Sequence, residues 1–201
     1  LNSIDVPHQH TNLQARDRAD YGGLGSENSG AAGRGDVRLS HPSAEDGPHM
    51  WRLAGKAGMD VNSPYAYALW CRDFAKTSVI ARDDEGRVAA YVTGFVRPDS
   101  PDTYFLWQVA VDAEFRGQRL ARRMLDFIGD IITRRGLRYL EATVTADNTA
   151  SRALFASFAR DRGAEAVWSP LFGGEHFPEG DPPQDPEDLV RIGPLGPKPQ
   201  G

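Results

Sequence analysis

The sequence predicts one α/β domain of the mixed α+β kind, a curved and mostly antiparallel sheet with flanking helices. Three observations lead there. Tyr104-Phe105-Leu106-Trp107 and Val109-Ala110-Val111 form a nearly unbroken apolar run, the pattern of a central strand buried on both faces. A polar turn then opens a helix whose Leu120, Met124, Leu125, Ile128 and Ile132 share one stripe. Short strand patterns with turn residues between them precede this pair, and a strand, a helix and further strands follow it.

Along the chain, residues 1–35 are polar and rich in glycine, with too little apolar surface to offset the entropy of ordering; they read as a disordered tail. The domain spans 36–195, and 196–201 reads as a flexible tail. A short strand is expected at 37–39. A helix follows from Ser43, where Asp46 three residues on makes a capping box and Gly47-Pro48 must weaken or bend it. Ser63 and Pro64 are an N-cap and a first helical residue for a helix over 65–75. Strands follow at 78–81 and 88–96, separated by the turn Asp83-Asp84-Glu85-Gly86. After the central strand and helix come a strand at 137–144, a helix at 147–162 with Asp147 as N-cap, and strands at 164–172 and 189–192. The acidic, Pro- and Gly-containing stretch 173–188 between those last strands reads from composition as a solvated loop, with an acidic lid over a cationic substrate as the sharper reading.

Composition narrows the function. A net charge of -5 argues against nucleic acid as the main partner. The single cysteine, Cys71, excludes an internal disulfide and reads as a packed thiol. No apolar run has the length of a membrane span, and the five histidines show no ligand spacing, so neither a membrane nor a metal is expected. A soluble, cytoplasmic protein is the expectation. The loop from Arg116 to Ala121 leads from a buried strand into a helix, so first-turn amides without partners and a positive dipole end predict an anionic cofactor there.

With those elements in order, residues 37–194 resemble the GNAT acyltransferase superfamily. Arg116 and Ala121 fit its phosphate-loop pattern, while Arg119 occupies the central glycine position and is expected to add its charge to the cofactor phosphates. The resemblance implies a GNAT fold whose central strands splay. The main chain of Val109 and Val111 would pair with the pantetheine arm of acetyl-CoA, while Arg116, Gly117, Gln118, Arg119, Leu120 and Ala121 hold its phosphates and Asn148 lies near its acyl end. Phe155 stands where many relatives carry a tyrosine acid.

Five separated motifs sharpen the likeness: Asp60 to Tyr67, Cys71 to Phe74, Trp107 to Asp112, Leu140 to Thr145, and Arg191 to Pro194. Together they resemble the L-2,4-diaminobutyrate acetyltransferases of ectoine biosynthesis. That resemblance implies acetyl transfer from acetyl-CoA to the 4-amino group of diaminobutyrate by a cytoplasmic homodimer, and direct transfer in a ternary complex is the expected route. An amine with a lysine-like pKa is neutral in only about one molecule in two thousand at pH 7, so carboxylates must bind it and take its proton. Glu141, Asp60 and Glu187 are the catalytic candidates. Trp107, Tyr65, Asp60, Glu187 and Thr145 are the substrate-binding candidates, with Trp107 a wall against the ammonium. Acetylation of another amine, or acyl-CoA binding without catalysis, are the competing readings.

Overall fold

A computed structural model describes residues 36–59, 61–179 and 184–196. Within them, seven strands form one sheet in the order β1-β2-β3-β4-β5-β7-β6. They are β1 (Arg38–Ser40), β2 (Val79–Arg82), β3 (Val88–Val96), β4 (Thr103–Val111), β5 (Tyr139–Thr145), β6 (Glu165–Phe172) and β7 (Glu187–Gly193). Every pairing is antiparallel except β4 with β5. The four helices are α1 (Gly47–Lys56), α2 (Pro64–Asp73), α3 (Leu120–Arg134) and α4 (Thr149–Asp161).

Two apolar layers hold the sheet. On one face the α3 stripe of Leu120, Met124, Leu125, Ile128 and Ile132 packs with Phe155 and Phe158 of α4 onto Val92, Leu106, Leu140, Ala142 and Val190. On the other, Met50, Leu53 and Ala54 of α1 and Tyr67 and Cys71 of α2 pack onto Ile80, Tyr91 and Ala110. Cys71 is the packed thiol expected: its Sγ lies 3.4 Å from Met50 Sδ, and burial pushes its pKa up to about 11.

Several local expectations shift. The Ser43–Asp46 capping box forms, with the Asp46 carboxylate accepting the Ser43 N–H at 2.7 Å, but it closes a 3-10 turn over Ala44–Asp46. Gly47-Pro48 then starts α1 rather than bending it, because proline lacks an N–H that the first turn does not need. Ser63 caps α2 as read, accepting from Ala66 N–H. Residues 113–115 make a 3-10 turn, so α3 begins only at Leu120. The N-cap of α4 is Asn148, not Asp147, since Asn148 Oδ1 accepts the Ser151 N–H at 3.0 Å while Asp147 accepts the Thr145 hydroxyl at 2.6 Å. β7 begins at Glu187 rather than Leu189, which brings Glu187 into the sheet.

β4 departs most from expectation. Its pairing with β3 runs Val92↔Val109 and Thr93↔Gln108, then Gly94↔Leu106, so Trp107 is an extra, bulged residue. The bulge turns Trp107 out of the buried layer, leaving it 41% exposed. Gly94 opposite accommodates it, because a Cβ there would meet the Phe105 carbonyl oxygen at 2.6 Å and the Tyr104 hydroxyl.

Candidate active site

The bulge coincides with an opening in the sheet. β4 and β5 pair in parallel from Thr103↔Tyr139 only as far as Leu106↔Ala142, although both strands continue. Beyond that point Thr143, Val144 and Thr145 keep only their pairing with β7, which runs along the opposite edge of β5 from Leu140 to Thr145. On its other side β4 remains paired with β3 as far as Val111↔Ala90. The Asp112 N–H donates to Ala89 O at 2.9 Å, so by strand alternation the main-chain groups of Val111 and Val109 face away from β3, into the opening. Two strand residues with free backbone groups beside a gap can accept an extended ligand as an added strand.

The loop at the end of this opening leads into α3. Gly117 has φ 80°, and Arg119, the N-cap of α3, has φ 57° and ψ 26°. Among the described residues Arg119 is the only non-glycine with positive φ. Its side chain makes no capping bond to the helix, so the first-turn amides from Leu120 onward are left for a ligand. The four arginines near this turn divide in two. Arg122 is engaged by Asp161 at 2.9 Å and Asp126 at 3.4 Å, and Arg123 donates to the Val37 carbonyl at 2.7 Å. Arg116 and Arg119 are exposed and carry no ion pair among the described residues. The uncapped helix start, the left-handed loop and two open guanidiniums fit a phosphate-bearing cofactor.

The α1/α2 face of the opened strands carries the remaining candidates. Glu187 stands opposite Thr145, Leu189 opposite Thr143, and Arg191 opposite Glu141, so Thr145, Thr143 and Glu141 line up beside Glu187, Leu189 and Arg191 on one face. Trp107 stacks on Trp70 of α2 with ring centroids 4.7 Å apart, and Tyr65 at the start of α2 is 72% exposed. Thr145 gives its hydroxyl to Asp147. Asp60 lies outside the described residues.

The two described carboxylates expected as bases differ sharply. Glu141 is 2% exposed, and both its oxygens are taken, one by Arg97 at 2.7 Å and the other by Arg191. Arg191 in turn stacks on the Tyr139 ring at 3.9 Å. Glu141 is thus a buried carboxylate whose two oxygens are both engaged by partly exposed arginines. Glu187 has Oε2 buried without a hydrogen-bond partner among the described residues. Burial pushes its pKa above the ordinary glutamate value, the Thr143 hydroxyl draws it partly back, and Asp185 and Asp188 add to the rise. A half-buried carboxylate whose neutral form burial favours is suited to taking up a proton.

Sequence reasoning missed Thr143, Arg97 and Trp70. Only Thr143 had a usable signal, the alternation that places it on the Glu141 face; the other two depend on strand and helix juxtaposition. Among the described residues no cluster of His, Cys, Asp or Glu suited to a metal ion is present. None of the described helices is long and apolar enough to cross a membrane.

A seven-stranded mixed sheet with splayed central strands and an uncapped phosphate-type helix start defines an acyl-CoA-dependent N-acyltransferase, and the Acetyltransferase (GNAT) family matches residues 48–159. An L-2,4-diaminobutyric acid acetyltransferase of Streptomyces coelicolor is 48% identical over 166 residues, covering 82% of this chain and 96% of that protein. One from Halalkalibacterium halodurans is 40% identical over 164 residues, covering 80% and 84%. Among solved structures, the diaminobutyrate acetyltransferase of Paenibacillus lautus, in complex with its substrate L-2,4-diaminobutyric acid and coenzyme A, matches with TM-score 0.76 and 34% identity. That match covers 83% of this chain and 99% of that one. The chain belongs to the GNAT family and, within it, to the L-2,4-diaminobutyric acid acetyltransferases.

Proposed function

We propose that this protein transfers the acetyl group of acetyl-CoA to the 4-amino group of L-2,4-diaminobutyrate, a step of ectoine synthesis, by direct transfer within a ternary complex. The observation that carries this reading is the opening of β4 from β5 beyond Leu106 and Ala142, beside a helix start without a side-chain cap. The substrate named for the Paenibacillus lautus structure and the names of the curated relatives supply the choice of amine.

Acetyl-CoA, when bound, supplies the activated acetyl group. The backbone N–H groups from Gly117 to Ala121, with Gln118 and Leu120 between them, hold its phosphates with the Arg116 and Arg119 side chains. The main chain of Val109 and Val111 pairs with its pantetheine arm and orients the thioester. Asn148 caps α4 through Oδ1, which leaves its side-chain NH₂ as a donor toward the acyl end. The Trp107 and Tyr65 rings flank the diamine, and Asp60, Glu187 and Thr145 bind its cationic end.

Glu187 accepts the proton of the 4-ammonium group. The freed amine forms its bond to the acetyl carbon as the carbon–sulfur bond breaks; the nitrogen gives up its second proton to water, and water returns one proton to the departing sulfur, because the buried Phe155 has no proton to give. Positioning supplies most of the rate and the carboxylate contributes about 100- to 10,000-fold.

The protein works in the cytoplasm as a homodimer. Val167, Leu171 and Phe172 are exposed on β6, which has no second neighbour in the described sheet, and such an apolar edge suits association with a second copy.

Mass spectrometry of diaminobutyrate incubated with protein and acetyl-CoA tests the assignment, with one added acetyl group at the 4-amino nitrogen as the expected product. No product, or equal turnover of polyamines and lysine peptides, would refute it. Stable label on the polypeptide after exposure to labelled acetyl-CoA alone would rule out direct transfer.

A further inference from the structure

The sheet opens where β4 bulges, and the bulge has a buried polar anchor. Tyr91 of β3 is fully buried and donates its hydroxyl to Gln108 Oε1 at 3.2 Å. Gln108, 9% exposed, immediately follows the bulged Trp107 and stands opposite Thr93, where the β3–β4 register changes. Tyr91 itself pairs with Ala110, so its hydroxyl reaches diagonally along the strand to the residue that closes the bulge. The Tyr67 ring of α2 packs edge-on to Tyr91, with centroids 6.4 Å apart, and fixes the phenol from the helix side.

The layer around this bond is largely apolar, with Ala110, Met50, Leu53 and Cys71 in the same cluster as Tyr91, and the Thr93 and Tyr67 hydroxyls are buried there without hydrogen-bond partners among the described residues. Without the Tyr91 hydroxyl the Gln108 oxygen loses this donor. Slipping β4 by one residue to remove the bulge would break this bond and swing Trp107 back toward the opposite face.

We propose that Tyr91 and Gln108 are positioning residues for acetyl transfer, locking the β4 bulge so that Trp107 faces the acceptor and the Val109 main chain faces the thioester. The inference rests on the acceptor and cofactor roles assigned above to Trp107 and Val109. Neither Tyr91 nor Gln108 touches a reactant. Their effect is on where two neighbouring groups point.

The test compares Tyr91→Phe, Gln108→Met and the double variant with Trp107→Ala, by steady-state kinetics at a temperature where circular dichroism shows each protein folded. Each single variant is expected to lower kcat about tenfold, while the acetyl-CoA dissociation constant stays within twofold because the phosphate loop is untouched. The double variant should lose little more than either single one, since both remove the same bond. Gln108→Glu, which keeps the accepting oxygen, should recover most of the rate. Tyr91→Phe, the least disruptive change, stands alone should Gln108→Met fail to fold. Folded Tyr91→Phe protein with kcat within twofold of the parent, beside a Trp107→Ala variant that loses diamine affinity, overturns the inference and leaves the site assignment standing. A Trp107→Ala variant with unchanged kinetics overturns the assignment and this inference with it.

Discussion

Arg191 stands directly opposite Glu141 across the β5–β7 pair and donates to its carboxylate, while Arg97 from the end of β3 reaches the other oxygen at 2.7 Å. Three elements distant in sequence thus meet at one buried charge. Glu141→Gln would leave two guanidiniums sharing a neutral amide. Because Arg97 and Arg191 remain partly exposed, water screens some of the loss, and a destabilisation of about 2 kcal/mol is expected. Turnover per folded molecule should stay near the parent value. Denaturant unfolding beside active-site titration checks this, and a hundredfold loss of kcat in fully folded protein would restore Glu141 as the base.

Glu187→Gln should behave in the opposite way. Burial favours the neutral acid, so the folded-state pKa lies above the unfolded one. The ionised form therefore costs stability, a cost absent below the ordinary glutamate range and complete above the folded-state value. The glutamine variant should melt above the parent at pH 7 to 8, with the advantage vanishing as pH falls to about 4. Its kcat should fall about 100-fold or more, and the acid limb of the pH–rate profile should disappear. Calorimetry across pH together with that profile gives both readouts.

At Arg119 stability and binding pull apart. A left-handed non-glycine residue costs about 1–2 kcal/mol, of which the greater unfolded freedom of glycine takes back about 0.5–1 kcal/mol. Arg119→Gly should therefore raise the melting temperature by a few degrees. It should also weaken acetyl-CoA binding about tenfold and flatten its salt dependence, since one phosphate-facing charge is gone. Isothermal calorimetry at two ionic strengths measures this; unchanged affinity would show that the guanidinium points away from the phosphates.

Gly94→Ala should be costly. The added methyl group would press on the Phe105 carbonyl oxygen and the Tyr104 hydroxyl, and the latter donates to Thr77 O at 2.7 Å. Overpacking of this kind costs about 1–3 kcal/mol, and here it falls on the bulge, so activity should drop along with the melting temperature.

On β6, Val167→Asp places a charge on an exposed apolar position. Sedimentation should show the proposed dimer converted to monomer, with the monomer's far-ultraviolet spectrum unchanged. An unaltered sedimentation coefficient would move the interface elsewhere.

Much of this arrangement could be read from residue order. Ser63-Pro64 marked the start of α2, the Leu120-to-Ile132 stripe defined α3, and the run from Thr103 to Val111 marked β4, because caps, helical stripes and apolar runs act between near neighbours. The loop that leads from β4 into α3 was legible for the same reason. The separate fates of its arginines were not, since Asp161 and the Val37 carbonyl, which engage Arg122 and Arg123, are brought there only by folding.

By itself the sequence determined the order of strands and helices, the face that α3 buries and the family to which the chain belongs, all carried by local periodicity and short motifs. Only the tertiary structure decided that Glu141 is held by Arg97 and Arg191 while Glu187 keeps one oxygen without a hydrogen-bond partner among the described residues, and that Trp107 turns outward at a bulge. Register, pairing and desolvation are properties of segments brought together from far along the chain. Identical carboxylates acquire different chemistry only when those neighbours are in place.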